Sequence, residues 1–194
     1  MGPDSTDALD RADMARLTAG DAAALNSLMD RHAASVFHFL CRMLGNEDDA
    51  NDLAQETFVR VYRACASYRP QQRFSAWLFT IAANLARNHL RWRARHPNLS
   101  LDAEDETTGQ ALGENLPAPR GDPSSDSEAH EQAAVVRRAV QQLPEDLREA
   151  IVLCEWEELK VAEAAEILET TPKAVESRLY RARQLLREKL RKWL

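Results

Sequence analysis

Apolar residues recur at intervals of three and four along most of the chain, and strand-like alternation is scarce. From Asp21 to Leu44 the residues Ala24, Leu25, Leu28, Ala33, Val36, Phe37, Phe39, Leu40 and Leu44 keep helical spacing, and Gly45 supplies a stop. A second helix is predicted over 48–67, where Ala50, Leu53, Ala54, Thr57, Val61 and Cys65 share a stripe that Arg69-Pro70 breaks. A third spans about 74–94, with Trp77, Phe79, Ile81 and Leu85 as core positions, while Trp92 fits either a core or a contact role. The pattern then lapses. Between His96 and Ser127 four prolines stand among Gly, Ser, Asp and Glu, the composition of a flexible acidic tether. Helical periodicity resumes near Glu128 and continues to the end, interrupted at Leu143-Pro144 and Thr170-Thr171-Pro172. The expected fold is all-α: a tail over 1–20, a helical domain over 21–95, a linker over 96–128, and a helix-turn-helix domain over 129–194.

The helix-turn-helix rests on 161–186. A short apolar helix (Val161, Ala164, Ala165, Leu168) is followed by a tight turn and a longer helix with Pro172 in its first turn. Small Ala165 lets the second helix cross closely. At about 100° per residue, Leu179, Ala182 and Leu186 fall within about 40° of Val175 and form the buried stripe. Lys173, Ser177, Tyr180, Arg181 and Gln184 lie opposite, a set suited to phosphates and base edges in a major groove. Glu176 flanks that face. It admits three readings: acceptor for a cytosine amino group, partner of Arg183 or Arg187, or an acid favoured by the positive end of the helix dipole.

Charge changes the picture. The net charge is -6, yet residues 69–95 carry six arginines and no acid, and residues 172–194 carry eight basic against two acidic side chains. Residues 96–131 hold nine acids and one arginine. Two separate cationic blocks on an acidic chain are a footprint for polyanion binding at two places. Cys41, Cys65 and Cys154 have neither disulfide nor zinc-ligand spacing, and the histidines are scattered. No nucleophile arrangement or Gly-rich phosphate loop is present in the sequence. No cofactor, metal or catalytic residue is expected. The N-terminus lacks an apolar leader, and the most apolar window, 77–83, is too short to span a bilayer. A cytoplasmic protein without membrane insertion is the expectation.

Two motifs narrow the class. DDANDLAQETFVRVYRA at 48–64 with FSAWLFTIAANLARNHLRWR at 74–93 resembles the second conserved region of bacterial RNA polymerase sigma factors of the extracytoplasmic-function group. LPEDLREAIVLCEWEELKVAEAAEILETTPKAVESRLYRAR at 143–183 resembles their fourth region. The resemblance implies a promoter-specificity subunit with three surfaces. Asp52, Leu53, Gln55, Glu56 and Phe58 would dock on the clamp helices of the polymerase's largest subunit. Arg73, Asn84, Arg87, Asn88 and Arg91, with the loop 69–74 as wall of a base pocket, would hold the opened -10 strand. Lys173, Glu176, Ser177, Arg178, Tyr180, Arg181 and Arg183 would read the -35 element as duplex. Implied partners are core polymerase, including the flap of its second-largest subunit, promoter DNA and an anti-sigma factor. The chain departs from the family pattern at Glu169, where glycine is common, and at Glu176, where a basic residue is. The first departure costs little if the turn needs no positive φ.

A stand-alone helix-turn-helix regulator that binds duplex without polymerase is the alternative reading, and a purely protein-binding helical module is a third.

Overall fold

The computed structural model describes residues 3–96 and 123–191, and among these every regular element is helical. The N-terminal domain contains α1 (Pro3–Thr18), α2 (Ala23–Leu44), α3 (Glu47–Ala64) and α4 (Phe74–Arg95); the C-terminal domain contains α5 (Pro123–Gln141), α6 (Glu145–Ile151), α7 (Val161–Ile167) and α8 (Pro172–Leu190). The helix expected to begin near Glu128 begins at Pro123. The acidic stretch of the expected linker, 97–122, lies outside the described residues.

The 1–20 segment is not a tail. Helix α1 packs Met14 and Leu17 into the core and ends in a Schellman motif, with Gly20 at φ 99° and the Asp21 N–H bonded to the Arg16 carbonyl at 3.0 Å. Its hydrophobic stripe is weak because two of its buried positions are acids. Asp10 receives Arg31 Nε at 2.8 Å and pairs with His32 Nε2 at 2.9 Å, while Asp13 receives Arg31 Nη2 at 2.6 Å. Buried carboxylates are tolerated because α2 supplies their partners.

Local chemistry fixes the helix ends. Gly45, at φ 73°, caps α2 through its N–H to the Cys41 carbonyl, as the sequence suggests. Asn46 starts α3 by accepting from the Asp49 N–H at 2.9 Å, and Glu47, Asp48 and Asp49 complement the helix dipole. Phe39 and Phe79 meet edge-to-face at 5.3 Å in the core, and Phe74 is buried beside half-buried Trp77.

In the C-terminal domain, α6 runs into a π-helical segment, Val152–Trp156. Helix α7 then ends in a second Schellman motif: Glu169 N–H bonds to the Glu166 carbonyl at 3.2 Å and Thr170 N–H to the Ala165 carbonyl at 2.9 Å. The left-handed position of that motif is Glu169 itself, at φ 50°. The turn therefore does demand positive φ, so the condition under which this departure would cost little is not met and the glutamate is strained there. Thr171 caps α8 by accepting from the Ala174 N–H, with Pro172 at the first helical position. Val175, Leu179 and Ala182 form the buried stripe of α8, and Leu186 packs at its edge.

The two domains close on each other, and their buried side chains form one continuous apolar cluster. Helix α4 lies against α7, and α2 against α5 and the π-helical segment. Arg148 staples this junction by donating to the Met43 carbonyl at 2.7 Å, the Leu143 carbonyl at 3.0 Å and the Gln141 carbonyl. It satisfies carbonyls near the C-terminal ends of α2 and α5.

Candidate nucleic-acid and polymerase interfaces

Helix α8 offers an exposed polar face. Lys173, Glu176, Ser177, Tyr180, Arg181 and Gln184 are all exposed, and Tyr180 keeps 65% of its surface. Gln184 Nε2 donates to the Tyr180 hydroxyl at 2.7 Å and fixes the phenol's direction. Two expected readers are committed elsewhere. Arg178 lies about 60° from the centre of the buried stripe and pairs with Asp146 of α6 at 3.6 Å. Arg183 lies about 80° away on the other side, and its Nε donates to Glu155 Oε1 at 3.1 Å. Both hold α8 onto its own domain. Glu176 is in the second turn, beyond the reach of the helix dipole, and no ion pair joins it to Arg183 or Arg187 among the described residues. Two of its three sequence readings therefore lose their support.

The cationic stretch of the N-terminal domain is divided. Asn88 and Arg91 are exposed on α4. Arg87 is not free: its Nη1 stands 3.2 Å from Glu149 Oε1, and its Nη2 donates to Asn84 Oδ1 at 2.5 Å and to the Ile167 carbonyl at 3.3 Å. Arg73, in the loop before α4, pairs with Asp7 of α1 at 2.9 Å and with Glu163 of α7 at 3.5 Å. Glu149 is almost completely buried, and burial, outweighing the nearby Arg87 charge, pushes its carboxyl up to about 7. Glu157 stands 3.6 Å from Arg42, whose guanidinium sits 5.3 Å from the Trp156 ring centroid, and burial raises this carboxyl to about 7 as well. Around its apolar centre the domain interface thus sets C-terminal carboxylates against N-terminal arginines.

The third surface lies on α3. Asp52 and Gln55 are exposed, and Glu56 is partly exposed and accepts from Arg60 Nε at 2.8 Å. Leu53 is half-buried against the core. Phe58 is only 3% exposed and points inward, because it falls on the Ala54/Val61 side of the helix; it offers nothing to a partner. The sequence reading missed Val59 and Tyr62, which are 40% and 51% exposed. Their spacing of four and seven from Gln55, on the polar side of the stripe, was the available signal. Among the described residues no cluster of His, Cys, Asp and Glu is arranged to hold a metal, and no helix is long and apolar enough to cross a membrane.

Two helical domains, each with a cationic face and one of them a helix-turn-helix, define a protein built to engage nucleic acid at two places. The family model described as Sigma-70 region 2 matches residues 28–96, and that described as Sigma-70, region 4 matches residues 133–186. The ECF RNA polymerase sigma-E factor of Haemophilus influenzae is 34% identical over 185 residues, 93% of this chain and 95% of that one. The solved structure of CnrH in complex with the cytosolic domain of CnrY superimposes with a TM-score of 0.70 at 27% identity, covering 95% of this chain and 98% of that one. The sigma factor RpoE of Bartonella quintana, in co-crystal with the anti-sigma factor NepR, gives a TM-score of 0.68 at 25% identity over 86% of this chain and 96% of that one. The chain belongs to the extracytoplasmic-function group of sigma-70-family RNA polymerase sigma factors. It is a polymerase-binding promoter-specificity subunit.

Proposed function

We propose that the chain divides promoter recognition between its domains and that the closed form seen here must open to work. Helix α8 reads the -35 element as duplex through Lys173, Ser177, Tyr180 and Arg181, with Glu176 accepting from a cytosine amino group. The N-terminal domain holds the opened -10 strand through Arg73, Asn84, Arg87, Asn88 and Arg91. Asp52, Gln55 and Glu56, extended by Val59 and Tyr62, dock on the clamp helices of the largest polymerase subunit, and the C-terminal domain meets the flap of the second-largest.

One observation carries the strand-binding assignment: Glu149 and Glu163 set carboxyl groups against Arg87 and Arg73, where the reading calls for phosphates. Carboxylates of the same chain and a promoter strand therefore compete for the same cations. Distance requires the same opening. The two promoter elements are centred about 25 base pairs apart, or about 85 Å at about 3.4 Å per base pair. A compact chain of 194 residues has a radius of gyration of about 16 Å. The 27 residues between α4 and α5 reach at most about 90 Å when extended, enough for the separation.

Duplex opening on this reading is driven by binding energy in the cytoplasm, with no catalytic residue in the chain. An anti-sigma protein that grips both domains would hold the closed form. The test adds the full chain to core polymerase with a promoter library and follows a fluorophore pair placed one on each domain. New start sites together with a longer interdomain distance are expected. Tight solitary duplex binding without polymerase association would replace this reading with a stand-alone regulator.

A further inference from the structure

Beyond the arginines and amides already assigned, the end of α4 carries an aromatic residue that no part of the fold accounts for. Trp92 is 45% exposed, although buried Leu85 and Ala86 lie less than two turns before it. Measured from Asn88 at about 100° per residue, Asn84, Arg91, Trp92 and Arg95 all lie within about 60°. They form one stripe of two amides, two cations and an indole. Except for half-buried Asn84, every member is exposed even with the domains closed. The neighbouring groups are drawn aside: His89 Nε2 stands 3.2 Å from Asp49 and Arg93 3.7 Å from the same carboxylate, on the α3 side. The indole itself is held. His96 stacks on it with ring centroids 5.0 Å apart and planes inclined by 25°, and its Nδ1 lies 2.9 Å from the Trp92 carbonyl oxygen. An exposed aromatic ring with its direction fixed and two cations on the same face of the helix is the arrangement that stacks an unpaired base while the backbone is neutralised alongside.

We propose that Trp92, oriented by His96 and sharing its helix face with Arg91 and Arg95, is a stacking platform for an unpaired base of the promoter strand displaced at the -10 element. The inference rests on the assignment of the N-terminal domain to that strand. Charge complementarity selects the occupant: the stripe has no acid, and the ligand it suits is a polyanion with π-faces. A duplex keeps its bases stacked on one another, so it can use the arginines but not the indole.

The test uses full-length chain in holoenzyme, with a forked promoter whose -10 strand is single and, in the cold so that it stays closed, with the same sequence fully paired. Trp92→Ala should weaken fork binding by about 5- to 100-fold. Paired-promoter binding and the slope of log affinity against log salt should stay unchanged, because no charge is removed. Trp92→Phe should restore most of the loss, and His96→Ala should show a smaller loss of the same kind. Arg91→Ala, by contrast, should lower the salt slope. Equal fork binding by Trp92→Ala and the parent would overturn the inference, as would equal losses on forked and paired DNA, which mark a backbone contact. If Asn88→Ala and Arg91→Ala lose fork binding while Trp92→Ala does not, the platform alone is rejected. If none of the three variants loses it, the strand-binding assignment falls as well.

Discussion

Replacing Glu149 by glutamine tests how the two domains are held together. The carboxylate is sealed at the interface, with Arg87 of α4 in front of it and Glu145 and Arg178 of its own domain near by. Its ordinary value of 4.5 rises to about 7 in the closed form, because the cost of burying the charge exceeds what Arg87 returns. Between those values the folded, closed chain binds a proton that the unfolded chain has released. The contribution of Glu149 to stability is therefore greatest in acid and is lost as pH rises from about 4.5 to about 7. At about 1.4 kcal/mol per tenfold, the loss between pH 5 and pH 8 is about 2–3 kcal/mol. Glutamine keeps the shape and cannot ionise. The assay is urea unfolding at half-unit intervals over that range, paired with the interdomain distance from fluorescence. The difference in unfolding free energy between parent and Glu149→Gln should itself vary by about 2–3 kcal/mol across the range, with the parent opening more readily toward pH 8. Parallel pH profiles for the two proteins would refute the reasoning. Glu157 has the same environment against Arg42, so Glu157→Gln should remove a second share of similar sign.

Other substitutions separate strain, packing and contact. Glu169→Gly should stabilise the C-terminal domain by about 1 kcal/mol in urea unfolding, since it relieves a left-handed glutamate at φ 50° in the α7 Schellman motif; a lower midpoint would refute the strain. Phe58→Ala should cost about 3–5 kcal/mol in stability, because the ring is core, whereas Glu56→Ala should leave the unfolding midpoint nearly unchanged and weaken core-polymerase binding in a titration. Arg181→Ala should weaken -35 binding about tenfold and lower the salt slope by about one, as read from fluorescence anisotropy of holoenzyme on labelled promoter at several salt concentrations.

Glu176→Lys addresses the remaining reading of that residue. Stronger binding to every promoter would mark a bystander acid, and a changed base preference at -35 would mark a reader.

Much of this protein could be read from residue order. The three-and-four spacing located α2, α3, α4 and α8, and Gly45 and Pro172 marked helix boundaries because their backbone constraints act within a single turn. The free face of α8 followed from the position of Val175, since a helix fixes angles once one buried residue is known. What the sequence could not settle depended on distant partners. Helix α1 reads as a tail in the sequence because Asp10 and Asp13 are buried only through Arg31 and His32, about twenty residues away. Arg178 and Arg183 look like readers until Asp146 and Glu155 are brought beside them. The charge blocks announced two polyanion surfaces, but only the closed packing shows that two arginines of one of them, Arg87 and Arg73, already face Glu149 and Glu163. Helical periodicity is a short-range property of the backbone, whereas the pairing of charges across an interface is set by which helices the core brings together.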